Sequence, residues 1–133
     1  MLLAIEQAQL AGSIGEVPIG SVITDHNHNL ISTAHNLRES SHDPTAHAEI
    51  IAIRQASEKL QSWRMDGVTI YVTLEPCAMC AAAMVHARVA QVVYGTSDPK
   101  AGAVQSVMQL LDTVEFNHRV AYQGGVLAEP CRE

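Results

Sequence analysis

Basic residues are scarce in this sequence: eight Lys and Arg stand against fourteen Asp and Glu, for a net charge of −6. Such a balance does not advertise a nucleic-acid binder, although a local basic cluster can still serve a small footprint. The first Lys or Arg is Arg38, and Glu6 interrupts the apolar start from Met1 to Leu10. The positive flank of a secretory signal is therefore missing. No stretch approaches the ~20 apolar residues needed to span a bilayer, so a cytoplasmic location is expected. Cysteine is also sparse. Cys77 and Cys80 are three apart and Cys131 stands alone. An odd count with one close pair argues against a disulfide framework and for metal binding by that pair. Repeats, low-complexity tracts and Pro/Gly/Ser-rich linkers are lacking, which points to a single domain over residues 1–133.

What is present has an alternating order. Leu3, Leu10 and Ile14, with Ala4, Ala8 and Ala11 between them, suit an amphipathic helix over residues 2–13. Ile19–Thr24 and Leu30–Ala34 flank a polar Asp-His-Asn-His-Asn turn and predict a hairpin. Asp43-Pro44 has the chemistry of a helix start, followed by Ile50, Ile53, Ala56 and Leu60 at helical spacing to about Gln61. Val68–Leu74 predicts a buried strand, Cys77–Ala87 an alanine-rich helix, Ala90–Tyr94 a fourth strand and Val104–Leu111 a helix. A fifth strand falls near Arg119–Tyr122, and Gly125-Val126-Leu127 turns toward another helix. This alternation predicts a layered α/β domain.

Cys77-Ala78-Met79-Cys80 places two thiols at i and i+3 on one helical face. Thiolates are soft ligands for Zn²⁺, and a helix N-terminus favours their ionisation. The pair alone also fits a buried free pair or a redox motif. A third ligand then has to come from elsewhere, and His47 opens the other motif-bearing helix. His26, His28, His35 and His86 read as structural or exposed. Three protein ligands leave an open fourth position, which marks a catalytic rather than a structural zinc. Zinc with two thiolates and a neutral imidazole is formally neutral, so a base is needed to help ionise water, and Glu49 is placed for it. In an ideal helix Glu49 and His47 diverge by ~200°, so both fit one centre only if the helix end leans toward it.

The spacing His47-Ala48-Glu49 with Pro76-Cys77-Ala78-Met79-Cys80 resembles the zinc nucleobase deaminases. His42–Glu49, Tyr71–Cys77 and Asn117-His118-Arg119 further resemble the bacterial tRNA-specific adenosine deaminases, from about Glu16 to Cys131. The resemblance implies a cytidine deaminase-like fold, a three-layer α/β/α sandwich with a central five-stranded mixed sheet. It also implies a homodimer that converts the wobble adenosine of an arginine tRNA to inosine. It assigns one Zn²⁺ to His47, Cys77 and Cys80, the proton shuttle to Glu49, and a nucleoside contact to Asn36. Lys100, Asn117 and Arg119 match the region that meets the anticodon stem-loop, with Asp98 nearby. Against that family the chain is expected to be short by part of an N-terminal helix and by a basic, aromatic C-terminal helix, whose place contains Pro130. Fewer phosphate contacts would weaken RNA affinity across sequences.

Other deaminases share the same zinc set, including those acting on free guanine, cytosine or a nucleoside. Asp43-Pro44-Thr45 and Asn117-His118-Arg119 favour the RNA enzyme over them. A riboflavin-pathway deaminase spaces its cysteines more widely. From another class, a non-catalytic zinc-binding partner subunit would have no use for Glu49.

Overall fold

Five strands and four helices appear in a computed structural model that describes residues 1–113 and 116–132. The hairpin forms as expected from β1 (Gly20–Thr24) and β2 (Leu30–His35), antiparallel, with a register shift at Ile23/Thr24. Asp25 closes its turn: one carboxylate oxygen accepts the N–H of Asn27 at 2.8 Å and of Asn29 at 2.9 Å. β3 (Thr69–Leu74) joins β1 antiparallel, while β4 (Gln91–Thr96) and β5 (Ala121–Gln123) continue in parallel. The order is β2-β1-β3-β4-β5, a mixed five-stranded sheet.

Helices cover both faces. α1 (Leu2–Ser13) and α4 (Ala128–Arg132) lie on one side, and α2 (Ala48–Leu60) and α3 (Ala78–His86) on the other. The predicted three-layer α/β/α sandwich is therefore formed. Most of the core lies under α2 and α3, where Ile23, Ile70, Val72, Met84, Val92 and Tyr94 pack together. α4 tolerates Pro130 because it falls in the first turn, where its missing N–H has no helical partner to lose.

Three local expectations are corrected. α1 turns its alanines inward: Ala4, Ala8 and Ala11 are buried, while Leu3, Leu10 and Ile14 are each about half exposed. The reason lies on β1, where a Cβ at Gly20 would overlap the Ala4 carbonyl oxygen. Only small residues fit under a helix lying so close. α2 starts at Ala48 rather than at Asp43-Pro44. Asp43 instead bends the chain into a turn by accepting the Thr45 N–H at 2.9 Å and the Thr45 hydroxyl at 2.7 Å. Val104–Leu111 is not an α-helix, and only a 3₁₀ turn forms, at Leu110–Asp112. The N–H groups of Val104, Gln105 and Ser106 are drawn instead to the buried carboxylate of Glu75.

Candidate metal centre and its pocket

Two helices begin at the same point. His47 is the N-cap of α2 and Cys77 the N-cap of α3, both with extended backbones. Cys80 lies three residues into α3, and Glu49 two residues into α2. An N-cap stands outside the helical screw, so the 200° divergence of an ideal helix does not apply to His47 and Glu49. This is how both come to one place.

His47 Nδ1 stands 3.6 Å from Cys77 Sγ and 3.6 Å from Cys80 Sγ. All three potential ligand atoms lie within 4.8 Å of one another. Donors at ~2.3 Å (sulfur) and ~2.0 Å (nitrogen) from a tetrahedral ion are about 3.6 Å apart. The spacing is therefore that of a divalent soft-metal site. Among the described residues no other group of three such side chains is gathered this way.

The electrostatics agree. Cys77, hydrogen-bonded by Cys80, is lowered to about 5. Cys80 is pushed far up by Cys77, by burial and by the Glu49 charge. Burial lifts Glu49 to about 7, and the Cys77 charge adds to this. Two thiolates and a carboxylate cannot all ionise in this small buried space without a cation. The helix N-termini help, since their partial positive ends face the same spot.

A pocket opens beside this cluster in two adjoining chambers, each of about 120 Å³. One is lined by Leu74, Glu75, Cys77, Asp98 and Ala101, together with Glu49 and His47. The other is lined by Val17, Asn36 and Arg38, and Ile19 and His47 border both. Asn36 is 4% exposed, and its carbonyl oxygen accepts the Arg38 N–H at 3.1 Å. Its amide nitrogen has only a 3.5 Å contact, to the Val17 carbonyl, which leaves it nearly free to serve a ligand.

The other predicted contacts divide. Lys100 lines a wider groove of about 380 Å³ with Leu74 and Asp98, next to the pocket. Asn117 and Arg119 are exposed and lie far off. His118, between them, bonds the Val89 carbonyl at 2.7 Å, before the start of β4, whereas Cys77 follows the far ends of the parallel strands. The length of β4 separates them, roughly 17 Å. Sequence reasoning missed Ile19, Arg38, Leu74, Glu75 and Ala101 as pocket walls. Leu74 and Glu75 lie in the Tyr71–Cys77 stretch but carry no pocket signal of their own there, and Ile19, Arg38 and Ala101 arrive from three other places in the chain.

Residues 1–129 match the MafB19-like deaminase family. The tRNA-specific adenosine deaminase of Bacillus subtilis is 48% identical over 128 residues, covering 96% of this chain and 79% of that protein. The tRNA-specific adenosine deaminase of Haemophilus influenzae is 44% identical over 133 residues, covering 100% of this chain and 77% of its own. A solved structure from work on A-to-I editing by tRNA:A34 deaminases at the wobble position superposes with a TM-score of 0.95. It is 40% identical and covers 99% of this chain and 95% of that one.

Proposed function

We propose, from the premise that this chain belongs to the family of bacterial tRNA-specific adenosine deaminases, that it converts a wobble adenosine to inosine in the anticodon loop of an arginine tRNA. One observation carries the chemistry: His47, Cys77 and Cys80 stand at tetrahedral ligand spacing with the buried Glu49 carboxyl against them. These three residues would hold one Zn²⁺. When bound, zinc supplies a Lewis acid that lowers the pKa of water. Glu49 would take a proton from water as the water oxygen bonds the purine carbon that carries the amino group, pass it to the ring nitrogen, and then help protonate the ammonia as its bond to that carbon breaks. Adenosine and water become inosine and ammonia. Burial suits Glu49 to this task, since a carboxyl near neutrality both accepts and returns a proton.

Substrate placement falls to the pocket walls. Asn36 offers its amide to the flipped nucleoside, and Ile19 and Leu74 supply apolar surface for the base. Lys100 meets the backbone of the stem-loop at the groove. Asn117 and Arg119 are a sheet's length from the pocket of their own chain, and a second copy would bring them to RNA at that pocket. That position supports the homodimer. A cytoplasmic location follows from the same substrate.

The deciding experiment measures inosine in an arginine-tRNA anticodon stem-loop, with ammonia release from free adenosine, cytidine and guanine in parallel. Inosine in the stem-loop alone is expected. Ammonia from a free base would instead make this a metabolic deaminase, and silence throughout in a zinc-loaded sample would favour a non-catalytic partner subunit.

A further inference from the structure

Glu75 is acidic, 2% exposed and two residues from a metal-ligand cysteine, yet the chemistry above does not use it. Its carboxylate is fully engaged. One oxygen accepts the Asp98 N–H at 3.1 Å and the Ser106 hydroxyl. The other accepts the N–H groups of Val104 at 3.1 Å, Gln105 at 2.7 Å and Ser106 at 2.9 Å. With five donors converging on two oxygens, no lone pair is left for a substrate proton.

All five donors belong to one segment, residues 98–106. Its near end supplies Asp98 and Ala101 to the wall of the pocket that Ile19 and Glu49 also line. The carbonyl of the next residue, Pro76, accepts the Ala103 N–H at 2.8 Å and extends the attachment. Gly102 lies so close that a Cβ there would overlap the Glu75 carboxyl carbon. Otherwise the segment has little regular structure, with turns and irregular backbone up to Leu110. Asp98 closes the first turn from within, accepting the N–H groups of Lys100 at 3.0 Å, Ala101 at 3.2 Å and Gly102 at 2.9 Å, but where that turn stands on the sheet is set by its attachments and by the buried Ala103 and Val104. Glu75 ties it to the end of β3, the strand that also delivers Cys77.

We propose that Glu75 is a positioning residue for substrate: it holds residues 98–106 in the shape that accepts the flipped nucleoside, at a fixed height over the metal centre. This rests on the functional reading above. The expected signature follows from preorganisation. With the clasp broken, the wall spends only part of its time in the competent shape, and apparent affinity falls by that fraction. Once substrate is seated, the ligands and Glu49 are unchanged, so chemistry proceeds.

Glu75→Gln turns two donor hydrogens toward N–H groups that need acceptors. Gly102→Ala crowds the carboxylate and the Asp98 carbonyl without altering any charge. Both are compared with the wild-type protein for zinc content, steady-state kinetics on the anticodon stem-loop, and hydrogen exchange. Zinc at one per chain is expected in both, with KM raised roughly tenfold and kcat within about threefold of wild type. Amide protection should fall at Val104, Gln105 and Ser106 and persist in β3. Unchanged KM in both variants overturns the proposal. So does zinc loss with a collapse of kcat, or unfolding of both variants, since either makes Glu75 a prop of the metal site or of the whole chain. A wild-type protein inactive on the stem-loop counts against the substrate reading alone. The clasp is then judged by exchange, where protection lost only across 98–106 sustains it and unchanged protection overturns it.

Discussion

Glu49 shows how much one side chain depends on where a helix begins. Because α2 starts at Ala48, Glu49 sits buried in its first turn beside both sulfurs. Replacing it by Gln removes a proton carrier and no metal ligand. Zinc content should therefore stay at one per chain while kcat falls by roughly 10²–10⁴. Retention of near-normal turnover would end its role as shuttle. The sign of the pH dependence is set by the same group. As the base it must be ionised, and burial holds the metal-free carboxyl at about 7. A bound cation favours the ionised form, so kcat/KM should fall on the acid side, with a midpoint at or below about 7. A profile flat down to pH 5 would place the essential base elsewhere.

At the scale of elements, close approach decides more than hydrophobic period does. α1 packs its small face on β1 because Gly20 admits the helix backbone, and that contact sets the position of the whole outer layer. Gly20→Ala should cost about 1–3 kcal/mol through overpacking, read as a lower denaturation midpoint with an unchanged slope. A neutral result would mean that α1 shifts freely on the sheet. The loop after β2 is held in its own way. Glu16 accepts the N–H of Glu39 at 3.1 Å and of Ser40 at 2.6 Å, together with the Ser40 hydroxyl at 2.5 Å. The Ser40 hydroxyl bond is the leading reason its pKa lies below the ordinary carboxylate value. A depressed folded pKa contributes stability above the unfolded value of ~4.5, lost as pH falls through the folded one. Amide protection at Glu39 and Ser40 should therefore fade as acid approaches that point. Glu16→Gln should show weak protection at every pH, and equal protection in both proteins would discount the carboxylate.

For the whole molecule, the question is whether residues at opposite ends of the sheet serve one RNA. The pocket opens at the end of β3, while Arg119 stands before β5 at the other end. If a second copy supplies Arg119, two defective chains should repair each other. Mixing Glu49→Ala with Arg119→Ala in equal amounts, after subunit exchange, should restore roughly a quarter of wild-type activity. Half the dimers are then mixed, each with one complete site. Activity no higher than the mean of the two separate variants would place Arg119 in cis or outside RNA contact.

By itself the sequence determined the elements whose signals are local and pointed to the cluster of side chains whose spacing is chemical. The hairpin was legible from Asp25–Asn29, β3 and β4 from their β-branched runs, and α3 from its alanines. His47, Glu49, Cys77 and Cys80 stood out because few other reactions need those four side chains in that order. Tertiary structure decided what depends on contacts distant in the chain. Residues 104–111 have helical periodicity, yet they fold as turns because a carboxylate some 30 residues earlier takes their first N–H groups. Leu3 and Leu10 look like core, yet they stay exposed because a glycine on β1 leaves room only for alanine beneath α1. The pocket walls come from the approach to β1, the loop after β2, the end of β3 and the segment after β4. No local pattern encodes such a meeting, because each wall residue is chosen by the space the others leave.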